Sequence, residues 1–166
     1  MSAAFIVLLA VLSVAALAFY FTTLVFDCIF RIAKGDVFSS GLKYNHTSIY
    51  KQKTAFYTKF IETSLEHGNF NVAKTEINGF GAGPDVQLSF RIYLDMRKIQ
   101  MTITNVEEHI KNAFISETAH RDSIFRNLRI DDGSIEIKRQ LDPEILRQAA
   151  LFREQVITIE ILISAV

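Results

Sequence analysis

Four histidines, one cysteine, two adjacent aspartates and three closely spaced glycines are the residues from which chemistry would have to be built. His46, His67, His109 and His120 share no ligand-like spacing, and His109 beside Glu107 and Glu108 reads as a wet helix face. Asp131-Asp132 suggests a calcium loop, but the spacing of an EF-hand is missing and the pair reads as turn formers. Gly79, Gly81 and Gly83 precede a strand-like run, not a helix, which is the wrong context for a nucleotide-binding loop. A lone Cys28 excludes an intramolecular disulfide and a cysteine-based zinc site. It reads as an apolar residue at a membrane edge, with acylation or a dimer disulfide as the alternatives. No catalytic residue, metal ligand or cofactor is therefore expected. The one modification signal is Asn45-His46-Thr47, an N-glycosylation acceptor at Asn45.

The elements that must position these residues are organised around Phe80 to Met96. Val86, Leu88, Phe90, Ile92 and Leu94 fall at every second position, the pattern of a strand with one buried face. Gly81, Gly83 and Pro84 stand just before it, where a hairpin needs permissive or pre-set backbone. Phe70 to Ile77 predicts the strand leading in, with its alternation broken near Lys74. Thr47 or Ser48 caps a helix carrying Ile49, Phe56, Phe60, Ile61 and Leu65, which stops at His67-Gly68-Asn69. Thr104-Asn105-Val106-Glu107 reads as a capping box opening a second helix, with Ile103, Val106, Ile110, Ala113 and Phe114 on its apolar side. Leu128 and Ile130, then Ile135 and Ile137, predict the last strand region, and the parity change makes Asp131–Ser134 a turn or bulge.

A first, irregular strand is placed in Asp36–Tyr44, through Val37, Phe38 and Leu42. The order is then β-α-β-β-α-β, an α+β fold of the ferredoxin-like sandwich type.

Upstream, Ala3 to Phe26 contains no charge, Gly or Pro. As a helix it would reach about 36 Å, enough to cross a bilayer core. Residues 1–30 are read as a signal anchor and transmembrane segment, and 31–44 as juxtamembrane. Ala16-Leu17-Ala18 resembles a signal-peptidase site, but the apolar run continues past it and an uncleaved anchor is preferred. Arg31 and Lys34 argue against export of the chain downstream of the anchor. Nearer the C-terminus, Asp142-Pro143-Glu144 starts a helix with Ile145, Leu146, Ala149 and Phe152. The apolar tail Val156–Val166 is too short to span a bilayer, and residues 141–166 have no assigned role.

The chain has 166 residues, one small domain plus appendages, and its 18 basic and 18 acidic residues cancel. Nothing in that balance favours nucleic acid or an acidic substrate. An RNA-binding sheet would need exposed aromatics on a basic surface, and the third strand offers Tyr93 alone with Asp85 and Asp95.

From Tyr50 to Lys138 the chain resembles a SEA domain, the extracellular module of membrane-tethered mucins, agrin and the stems of membrane-anchored serine proteases. The matching stretches are the aromatic-bearing first helix, GAGPDVQLSFRIYLD, the basic MRKI, VEEHIKNAF and NLRIDDGSIEI. The resemblance implies a SEA-like domain at 45–140, held outside the cell by a single-pass anchor, acting as a spacer or adhesion element with an extracellular protein or glycan partner. Two alternatives stand beside it: the stem of a truncated membrane serine protease, and a secreted domain released after Ala18.

Many SEA domains cut their own backbone between the second and third strands, where a serine after a strained glycine attacks the preceding carbonyl. The matching turn here is Ala82-Gly83-Pro84-Asp85, with no Ser, Thr or Cys, so self-cleavage is not expected. Gly133-Ser134-Ile135-Glu136-Ile137 imitates the cleavage motif, but stands in the last strand region.

Overall fold

The period-two run is a strand, and it lies inside a sheet. A computed structural model describes residues 3–11, 23–95, 97, 105–145, 147, 151 and 161–165. Its regular core comprises β1 (Thr23–Lys34), α1 (Ser48–His67), β2 (Val72–Gly81), β3 (Val86–Asp95), α2 (Val106–Ala119), β4 (Arg129–Ile130) and β5 (Glu136–Arg139). All pairings are antiparallel, in the order β2-β3-β1-β4, with β5 also pairing β1. The chain is thus α+β with one five-stranded antiparallel sheet.

The first strand is the main correction. The expected strand at Asp36–Tyr44 is instead an extended stretch and a 3-10 turn at Ser40–Lys43, with Leu42 buried and Val37 74% exposed. The strand that fills the role is β1, which begins within the apolar run assigned to the membrane and continues through residues assigned to the juxtamembrane segment. The cause is physical. A central strand with an apolar core face looks like continuous hydrophobic sequence, and no polar punctuation separates it from the apolar residues upstream.

Phe26, Cys28, Phe30 and Ile32 alternate with the same parity as β3 and pair with Ile92, Phe90, Leu88 and Val86. Cys28 is therefore a core residue, not a membrane-edge one. No helix among the described residues is long and apolar enough to cross a membrane. Residues 3–11 are helical, and the rest of the expected span upstream of β1 lies outside the described residues.

Both helices cover the core face. From α1, Tyr57, Phe60, Ile61, Ser64 and Leu65 are buried; from α2, Val106, Ile110, Ala113, Phe114 and Glu117. The Phe30 ring meets Phe90 at 5.3 Å, Phe114 at 5.6 Å and Phe60 at 6.1 Å, so strands and helices share one aromatic cluster. Thr47 caps α1 as expected, its hydroxyl accepting the Tyr50 N–H at 3.2 Å. The second cap shifts by one residue. Asn105, not Thr104, accepts the Glu108 N–H and donates to the Glu108 carboxylate at 2.9 Å.

The remaining irregularities fall where the pattern broke. The β2–β3 register shifts between Val72 and Lys74 and again between Ile77 and Gly79. Asp132–Ser134 forms a 3-10 turn that separates β4 from β5.

Candidate functional site

Ala82–Asp85 joins β2 to β3 at the end of the sheet where β1 finishes. Every residue of this turn has negative φ, so none sits in the left-handed region. At the position where a nucleophile would stand is the Pro84 ring. The turn is held from below by Arg31, whose guanidinium lies 3.6 Å from Asp85 and also pairs with Asp131. Arg31 holds the Asp131 carboxyl below its ordinary range through a side-chain hydrogen bond. Two turns far apart in sequence, 82–85 and 131–134, thus meet on one cation.

Ser134 is at this junction, and its hydroxyl is fully employed. It accepts the Arg31 backbone N–H at 2.8 Å and donates to the Asp131 carbonyl at 2.6 Å. Neither partner is a base able to remove its proton. Ser134 closes a turn; it has no activating group in its hydrogen-bond set. A shallow depression of about 350 Å³ beside it is lined by Ile29, Arg31, Gln87, Asp131 and Glu136.

A second constellation has no signature in the sequence. Glu117 on α2 is buried, and one carboxylate oxygen takes the Ser123 hydroxyl at 2.5 Å while the other meets His67 Nδ1 at 2.6 Å. Burial pushes this carboxyl up, but the hydrogen bonds from Ser123 and His67 prevail and hold it below its usual range. Serine, histidine and glutamate are present, yet the order is wrong for nucleophilic catalysis. That chemistry needs imidazole between hydroxyl and carboxylate, whereas here the carboxylate is in the middle. The trio ties the ends of the two helices together.

His67, His109 and His120 line one cleft of about 590 Å³ with Ser64, Asn112 and Ser116. His109 and His120 are separated by about 16 Å of helix at ~1.5 Å per residue, too far to share an ion. Among the described residues, no group of three or more His, Cys, Asp or Glu could hold a metal. His46 is elsewhere, its ring 5.8 Å from Tyr44.

Cys28 is inert in this setting. Burial, and then the negative charge of Asp27, push its thiol well above the usual range, which removes the thiolate needed for acylation or disulfide exchange. Asn45 is exposed in the turn before α1, and the hydroxyl of its sequon partner Thr47 also donates to the Gly41 carbonyl at 2.8 Å.

The sheet face opposite the helices carries a polar ladder. Arg91 grips Asp27 through two hydrogen bonds of 2.6 and 3.1 Å, Gln140 donates to the same carboxylate, and Tyr93 donates to Glu76 at 3.0 Å. The hydrogen bond from Arg91 comes first among the causes that hold Asp27 below its ordinary range. Paired charges of this kind fix strand register. Compared with known proteins, the chain matches no family model and no curated protein.

Proposed function

We propose that this chain is a membrane-anchored SEA-like module of the ferredoxin-like βαββαβ type, a spacer or interaction element at the cell surface that does not cleave itself. The observation that carries the reading is the topology. One helix follows β1 and one follows β3, both pack on the same sheet face, and the order β2-β3-β1-β4 supports a split βαβ sandwich. The Gly-Pro turn joins β2 to β3, where the family's reactive turn belongs, and offers neither a hydroxyl nor a left-handed residue. The anchor is supported by residues 3–11, a helix that leaves Phe5, Ile6, Val7, Leu8, Leu9 and Val11 about half exposed. Such a surface suits lipid better than water.

The test is topological. In an exported domain Asn45 carries a glycan, so endoglycosidase treatment increases gel mobility of the wild type but not of Asn45→Gln. In intact microsomes the domain resists added protease until detergent is present. Digestion without detergent, together with an unmodified Asn45, would place the domain on the cytosolic side and overturn the anchor reading.

A further inference from the structure

We infer that the outer edge of β2 is a docking strand for a second copy of this chain, paired antiparallel about a twofold axis at Thr75. Among the described residues, no strand pairs with this edge: β2 is terminal in the sheet order. Its main-chain donors and acceptors are therefore placed to extend the ladder, the usual liability of an edge strand.

What selects the same strand of another copy is charge. Lys74 and Glu76 point to the helix-free face, since Lys74 Nζ lies 5.7 Å from the Tyr93 ring centre and Glu76 accepts from the Tyr93 hydroxyl. Both side chains are more than a third exposed. Within one chain they pair with each other.

A twofold axis perpendicular to the sheet must place residues of the same face opposite one another, so the axis lies between the two copies of one residue, which faces itself. An axis at Lys74 sets lysine against lysine, and one at Glu76 sets glutamate against glutamate. An axis at Thr75 sets Lys74 against the second copy's Glu76 on both sides of the axis. An axis at Ile77 runs the pairing into the register shift between Ile77 and Gly79, while the other shift bounds the regular stretch at Lys74. Only the Thr75 register fits the regular stretch with opposite charges facing. Thr75 faces the helices, opposite Ile92, and its hydroxyl has no hydrogen-bond partner among the described residues. The result is a continuous sheet across two copies, with both helix layers on one side.

The experiment uses two differently tagged full-length copies, co-expressed and captured through one tag in mild detergent. Wild type captures wild type. Lys74→Glu with itself and Glu76→Lys with itself each put like charges opposite, and co-capture falls by about tenfold or more, a change of ~1.4 kcal/mol or more. Lys74→Glu mixed with Glu76→Lys restores opposite charges at both positions and recovers capture, which a variant that merely failed to fold could not do. Capture that is insensitive to all three combinations overturns the proposal, as does loss in the mixed pair. No capture of wild type by wild type overturns it too.

Discussion

Phe90 and Arg91 are neighbours in sequence and opposites in the fold, so replacing each with alanine tests the register of the whole sheet. Phe90 is 0% exposed, pairs with Cys28 and Ile77 across its two neighbouring strands, and touches the rings of Phe30 and Phe114 at 5.3 and 5.8 Å. Phe90→Ala removes this ring from the middle of the aromatic cluster, where strands on both sides and helices above limit collapse. The expected cost is about 3–5 kcal/mol, a large part of the ~5–15 kcal/mol stability of a small domain.

Arg91→Ala breaks the two hydrogen bonds to Asp27, but both side chains keep about a quarter of their surface in water. Solvent screening reduces that loss to about 1 kcal/mol or less. Urea unfolding of residues 23–140, followed by far-UV circular dichroism, reads both values. The midpoint for Phe90→Ala falls much further than that for Arg91→Ala, with little change in the slope for either. Equal losses, or a larger loss for Arg91→Ala, would falsify the assignment of the core face.

The same packing yields two more expected outcomes. A fragment beginning at Asp36 lacks β1, and with it Phe26, Cys28, Phe30, Ile32 and the strand that joins β3 to β4 and β5; it stays unfolded, whereas a fragment beginning at Thr23 folds. Cooperative thermal melting of the shorter fragment would refute the central role of β1. Glu117 has a folded-state pKa below its ordinary value, so its contribution is complete above about pH 4.5 and is lost as pH falls through the folded value. Glu117→Gln is therefore less stable than wild type at pH 7, and the gap narrows as pH falls below the ordinary carboxyl range and through the lowered folded-state pKa; a constant gap across acid titration rules out a stabilising role for the ionised carboxylate.

What the sequence displays is local periodicity, and what it conceals is pairing. The alternation of β3, the break at Lys74, the Thr47 cap and the parity change at Asp131–Ser134 each depend on neighbours within a few residues, and each is present in the fold. The place of β1 depends on what lies on both sides of it. With Phe26, Cys28 and Phe30 buried under helices, the strand merges by composition into the apolar residues before it. Tyr57 does not read as core in α1, because a hydroxyl suggests water. Its hydroxyl instead donates to Asp36 at 2.6 Å, which also takes Lys53 at 2.6 Å. The link from His67 to Glu117 spans 50 residues and that from Arg31 to Asp131 spans 100, so no spacing rule shows either.

The position of β1 also gives the proposed anchor a geometry. The sequence runs up to Thr23 without a charge, Gly or Pro, so a membrane-inserted run would deliver the chain directly into the central strand. Twelve residues of extended chain carry it about 40 Å outward at ~3.3 Å per residue. There Gly35 turns the chain at φ +99, where a Cβ would come within 2.4 Å of the Asn127 carbonyl oxygen, so only glycine fits. Ala82–Asp85, the 131–134 turn and the start of α1 all lie at this distal end, and Asn45 stands three residues before that helix. The chain leaves the sheet at the other end, where the Gln140 N–H bonds the Val25 carbonyl beside the strand's entry. Entry to β1 and exit after β5 therefore lie at the same end of the sheet, the end that would face a membrane under the proposed anchor. A glycan on Asn45 would project from the far end, clear of the bilayer, and Arg31 would be placed by its partners Asp85 and Asp131 at that end, not beside the lipid.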